Sequence, residues 1–130
     1  MAVHGIERPV AEAQLVRGIG PTLATFGVSG TVSSPVLEVD DPGGTAMATN
    51  TGWTKAPVLG GSSLVTGASP AASVRAATTA DFNATGAFAL AGTATDAAMV
   101  LTLPPGQYTA KVSDGANVGG AALVEVYQMQ

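Results

Sequence analysis

Asp40, Asp41 and Asn50 form the one cluster of oxygen ligands whose spacing suggests a shared site: two acids where a hairpin begins and an amide where it ends. Calcium takes about six to eight oxygens, often from such loops. No Asp-x-Asp-x-Asp-Gly pattern accompanies them, and turn aspartates ordinarily bond their own backbone. The three are kept as calcium candidates, while no metal or cofactor is expected. Asp114 and Asn117 read the same way. Asp81 and Asp96 lie far apart in the chain, and a glycosidase needs two carboxylates facing one bond. His4 is the sole histidine and cysteine is absent, so a Ser-His-Asp triad, a thiolate zinc site and a cysteine nucleophile are all excluded. No Gly-x-Ser-x-Gly elbow occurs. Gly18-Ile-Gly-Pro-Thr-Leu23 has leucine where a dinucleotide loop needs its third glycine, and its proline removes an amide from the phosphate cradle. No catalytic residues are assigned, and the chain is not read as an enzyme.

Two further side chains have a functional and a structural reading. Trp53, the single tryptophan, is a ligand-stacking candidate, because an indole beside a loop can pack against the CH face of a sugar. Its structural reading is a plug at the end of a sandwich. Arg17 alternates with apolar positions. It is either a ligand-facing cation or a partly buried arginine paired with Glu38 or Glu125. Tyr108 and Tyr127 read as core residues whose hydroxyls reach water.

The elements that must position these residues are β-strands. The 130 residues suit one domain. Aromatics are 5% and hydrophobic residues 46%, with 17 Gly and 8 Pro; that balance points to strands cut by frequent turns. Val10–Arg17 alternates weakly, as an edge strand does. Thr22–Phe26 is a helical turn stopped by Gly27. Pro35–Asp40 and Thr45–Asn50 are strands joined by Asp41-Pro-Gly-Gly44, a strong turn sequence. Residues 54–85 carry the weakest pattern: Ser69-Pro70 could cap a helix to Ala77, or the stretch could be extended. Ala87–Leu90 is a short strand. Asp96–Leu103 is a strand covered on both faces. Gln107–Ser113 alternates cleanly, Asp114–Gly120 turns, and Ala122–Tyr127 closes the chain. Seven or eight short strands imply an all-β antiparallel sandwich or jelly roll with at most one short helix. Phe26, Leu37, Phe88, Leu101, Tyr108, Val112 and Val124 are the predicted core.

Net charge is −4 with only 11% charged residues. Five Lys+Arg build no basic face, so no nucleic-acid partner is expected. No apolar run reaches the length of a membrane helix, so no membrane insertion is expected, and no leader pattern is read at the start. So low a charge is consistent with a surface partly covered by other subunits.

Two stretches, Leu15–Val28 continuing through Pro35-Val-Leu37 to Asn50-Thr-Gly-Trp53, and Gly86–Leu90 continuing through Asp96–Ser113 to Ala122–Tyr127, resemble a β-rich module of large exported bacterial proteins. Its rhythm is LIRGxGPxLxxFGV, NxxW, GAFxL, DAALxxTLPPGxYTAxVSG and ALVEVY. The later half is loosely similar to pre-peptidase C-terminal β-sandwich domains. The resemblance implies a sandwich in an extracellular or cell-surface setting and assigns no catalytic residues. Family members carry a leading strand ahead of the LIRG strand, where this chain has about ten residues, and an Asn-Asp-Asn-Trp where this chain has Asn-Thr-Gly-Trp. Residues 1–9 therefore read as an N-terminal arm, with Val3, Ile6, Arg8 and Pro9 as its assembly residues, and 10–130 as the single sandwich domain. Pro9 marks the break, since it cannot donate a ladder hydrogen bond. The expectation is a non-enzymatic structural module that self-assembles into homo-oligomers or filaments, or docks to neighbouring surface proteins, by donating this arm as a strand. The alternative is a carbohydrate-binding accessory domain that takes polysaccharide at Trp53 and its adjacent loops.

Overall fold

A computed structural model describes residues 2–8, 12–68 and 70–129; for Ala2, His4, Ile6, Glu7 and Arg8 only the backbone is described. The strands are β1 (Ala2–Arg8), β2 (Glu12–Ile19), β3 (Pro35–Asp40), β4 (Ala46–Asn50), β5 (Val58–Leu59), β6 (Ser73–Ala76), β7 (Ala97–Leu103), β8 (Gly106–Asp114) and β9 (Leu123–Gln128). A 3₁₀ helix spans Pro21–Phe26 and α1 spans Thr79–Thr85. One sheet runs β1-β8-β3-β4-β5 and the other β6-β7-β2-β9. The ladders are antiparallel. The two sheets make an antiparallel β-sandwich.

The period-2 pattern sets the first core. Leu37 and Val39 of β3, and Tyr108, Ala110 and Val112 of β8, face Val16, Met99, Leu101 and Leu103 of the opposite sheet. A register shift between Val39 and Asp40 opposes two β3 residues to three of β4. The extra residue allows neighbouring Met47 and Ala48 both to be buried. Close packing requires Gly18: a Cβ there would lie 2.5 Å from a Val112 methyl.

A second core lies on the other face of the β2-β7 pair. Leu15, Ile19, Ala98 and Val100 meet Trp53, Ala77, Phe82 and Leu90, so the chain between β4 and β7, with α1, supplies cover for that face. Both faces of β7 are therefore apolar, as its sequence predicts. Asp96 is fully buried and holds the cover's edge: its carboxylate accepts from the Gly20 and Thr22 amides and from the Thr22 hydroxyl, at the start of the 3₁₀ helix.

Two expectations are corrected and one open alternative is resolved. Of the two forms open to the segment leading to Ala77, the extended one is found: Ser73–Ala76 forms β6, paired with β7. Ser69, the proposed cap, lies outside the described residues, as do Pro9, Val10 and Ala11 at the predicted arm-to-strand junction. Helix α1 instead starts at Thr78, where Thr78 and Asp81 form a capping box, and stops at Gly86 in the left-handed region (φ 76°). Ala87–Leu90 is not a strand; it packs Phe88 and Leu90 onto the second core without a ladder partner. Phe26 is 61% exposed, outside the core, with its ring edge-on to Phe88 at 5.0 Å. It is the last residue of a 3₁₀ helix that buries no residue fully. Leu37, Leu101, Tyr108 and Val112 are buried as predicted, and Phe88 and Val124 are partly buried.

Asp81 makes a testable pH contribution. Arg75 donates to both its carboxylate oxygens at 2.8 Å. That pair, followed by the Thr78 amide and hydroxyl, lowers its pKa to about 2 against burial's opposing effect. A depressed carboxylate stabilises the fold above its unfolded value, 3.8, and loses that contribution as pH falls through the folded one. Asp81→Asn should flatten the decline in Tm between about pH 4 and pH 2 relative to the parent chain, measured by calorimetry.

Candidate functional site

The calcium candidates do not converge. Asp41 accepts from the amides of Gly43 and Thr45, 2.9 Å each, and from the Ser62 hydroxyl at 2.7 Å. The Ser62 bond, then the Thr45 amide, hold its pKa below the ordinary value. Asn50 is 2% exposed and is used as a strut. Its Oδ1 accepts from the amides of Gly52 (3.2 Å) and Ala98 (3.0 Å), and its Nδ2 donates to the Lys55 carbonyl (3.1 Å). Asp40 faces Lys111, whose Nζ lies 3.0 Å from Asp40 Oδ2 and 2.9 Å from Glu38 Oε2. Burial first, then neighbouring Glu38, raises the Asp40 pKa, and Glu38 is lowered, chiefly by its bond to Asp40. Apart from Asp40 Oδ1, which is buried without a hydrogen-bond partner, these oxygens are directed at amides, a hydroxyl and a lysine, and among the described residues no group of three acids or histidines gathers. Chelator should leave Tm unchanged; a loss of several degrees on adding EDTA would mean that a bound ion stabilises the fold.

Trp53 is 8% exposed. Its ring lies 5.2 Å from that of Phe82, and its Nε1 donates to the Ala91 carbonyl at 2.9 Å. The indole plugs the second core and presents no open face, which corrects its reading as a sugar platform. Arg17 is fully buried and not ligand-facing. Directly opposite Glu125 in the β2-β9 ladder, it donates through Nε to Glu125 Oε1 at 2.8 Å. Its Nη1 donates to the Phe88 carbonyl at 2.6 Å. The guanidinium lies 4.3 Å from the Phe88 ring centroid and 4.8 Å from that of Phe82, a cation–π arrangement suited to its flat, weakly hydrated head. Of the two carboxylates that the sequence offers as partners, Glu125 is the one paired with Arg17, and Glu38 pairs with Lys111. Tyr127 donates to the other Glu125 oxygen at 2.7 Å, and burial, then that acid, push its pKa up to about 12.

With these side chains committed to structure, the sheet edges carry the uncommitted recognition groups. Residues 2–8, read as an arm, are laid into the chain's own sheet. β1 pairs with β8 from Ala2↔Val112 to Arg8↔Gly106, at one edge of the five-stranded sheet. The reason is reach: the LPPG turn returns β8 beside the start of the chain, and the backbone groups of β8 are satisfied there. Val3 is 58% exposed on this strand; the side chains of Ile6 and Arg8 and all of Pro9 lie outside the described residues. Beside Gly5, a depression of about 430 Å³ is lined by Asp41, Gln107, Tyr108 and Thr109. At the same side of the sandwich lies β9, the outer strand of the other sheet. Exposed Leu123 belongs to it, and Phe26 and Val28 are exposed on the loop that follows β2. Edge strands were legible as a theme, but the second edge was missed; Leu123-Val-Glu-Val-Tyr127, apolar and without proline or lysine, was its signal. Comparison with family models, curated proteins and solved structures finds no match to the chain.

Proposed function

We propose that this chain is a non-catalytic structural module of an extracellular or cell-surface assembly. It joins copies of itself, or neighbouring surface proteins, by exchange of strand β1. The observation that carries the reading is the β1-β8 ladder. It is an edge strand held on one side over its whole length by a register that an identical strand from another copy can reproduce. Each exchanged backbone hydrogen bond is worth a net of about 1 kcal/mol, so exchange between copies is close to neutral within the strand, and concentration decides it. The low charge and the chemistry already committed to structure support the same reading. In the described residues no helix is long and apolar enough to cross a membrane.

Deletion of residues 2–9 is the test. The full chain is expected to form oligomers whose mass rises with concentration, and the truncated chain to remain folded by circular dichroism but to grow no larger than a dimer. A full chain that stays monomeric at high concentration, or a truncated one that still grows beyond a dimer as the full chain does, removes the mechanism.

A further inference from the structure

The four edges of the sandwich are not equally protected. β5 has two residues, and β6 has four including Arg75; shortness and charge are ordinary defences of an edge. β1 carries Gly5 and the charged pair Glu7-Arg8. β9, Leu123-Val-Glu-Val-Tyr-Gln128, has six residues, no lysine, no proline, and an unbroken register with β2. β1 passes close to it, yet no described strand forms a ladder with its outer side.

The direction of its backbone groups follows from one bond. The Met129 amide donates to the Ala13 carbonyl at 2.9 Å, one residue beyond the Gln14↔Gln128 pair. Antiparallel ladders alternate hydrogen-bonded and non-bonded pairs. Leu123, Glu125 and Tyr127 therefore turn their amides and carbonyls towards β2. Val124, Val126 and Gln128 turn theirs outward.

We infer that β9 pairs antiparallel with β9 of a second copy about a two-fold axis through Val126, making one continuous sheet across the dimer. The occupant is a second copy because the strand is complementary to itself in this register. Outward groups meet outward groups as Val126 with Val126, and Val124 with Gln128. On the face towards the second core, Glu125 stands opposite Tyr127, which already donates to a Glu125 carboxylate within each chain, and Leu123, 40% exposed, stands opposite Met129. Moving the axis to Glu125 would set two carboxylates against each other, which is unfavourable. A point-group dimer of this kind uses each edge once and closes. The inference takes its partner from the self-assembly reading above but uses a different strand.

Cysteine pairs read the register directly. In the full chain, which has no cysteine of its own, the double variant Leu123→Cys/Met129→Cys places thiols opposite each other only between copies. Within one strand the two positions lie about 20 Å apart. Mild oxidation is expected to convert the double variant to covalent dimer, with either single variant and Val118→Cys remaining largely uncrosslinked. A second variant, Gln128→Pro, removes an outward amide that β2 does not use, once in each copy, and should raise the dimer dissociation constant about thirtyfold with the fold intact. If the parent chain assembles but the double variant crosslinks no better than the single ones, the β9 dimer is overturned and self-assembly stands. If the parent chain is monomeric throughout and nothing crosslinks, both fall.

Discussion

Arg17→Ala should cost about 3 to 5 kcal/mol of folding stability, because it leaves a nearly buried carboxylate without its cation. Glu125 is 15% exposed at its side chain, so water recovers only part of the lost interaction. Substitution also removes the packing of the guanidinium against Phe82 and Phe88 and leaves a void between them. Urea or guanidinium titration reads the loss as a lower midpoint, and Tm should fall by about 10 °C or more. The double variant Arg17→Met/Glu125→Gln discriminates the cause. It keeps the volume and removes both charges, and should recover most of the loss. A single variant losing under about 1 kcal/mol would mean that the arginine is a replaceable filler.

Asn50→Ala should cost about 2 to 4 kcal/mol, again by denaturant titration, because one substitution strands the buried amides of Gly52 and Ala98 and the Lys55 carbonyl together. Asn50→Asp keeps the acceptor for both amides but buries a carboxylate against the Lys55 carbonyl, so at neutral pH it should also be destabilised, with the loss shrinking as acid protonates the new carboxyl. A loss under about 1 kcal/mol for Asn50→Ala would mean that water replaces the asparagine. This residue ties the end of β4 in one sheet to β7 in the other, and the same turn carries the Trp53 amide to the Asp96 carbonyl at 2.9 Å. An asparagine that first reads as a possible metal ligand is a brace between sheets.

The strands most readily read from sequence are those whose two faces differ or whose turns are chemically explicit. β8 alternates because one side meets the core and the other does not. The β3-β4 hairpin is written in Asp41-Pro-Gly-Gly44, where Gly44 takes φ 86°. That Arg17 pairs with a carboxylate is legible because a charge among apolar alternating positions needs a partner of opposite sign; the choice of Glu125 over Glu38 depends on the β2-β9 register. The stretch between β4 and β7 was opaque for a physical reason: it folds as a cover, and its apolar residues answer to the surface beneath them rather than to a regular ladder. Ala87-Phe-Ala-Leu90 alternates like a strand because Phe88 and Leu90 both reach down onto β2 and β7. Alanine's tolerance of either backbone form made Ala71–Ala77 ambiguous, although Thr78, Asp81 and Gly86 carried the true helix boundaries. The conversion of residues 2–8 from arm to edge strand depends on where β8 returns in space, which local pattern does not encode.

The burial of the only tryptophan in the second core makes the chain its own spectroscopic gauge. Indole emission senses the layer that covers β2 and β7 and is nearly blind to the interface between the sheets, where the aromatic ring is Tyr108. Far-ultraviolet ellipticity senses both sheets together. If fluorescence and ellipticity melt at one temperature, cover and sandwich are a single cooperative unit; if emission shifts first, the cover lifts as a separate unit while the ladders persist.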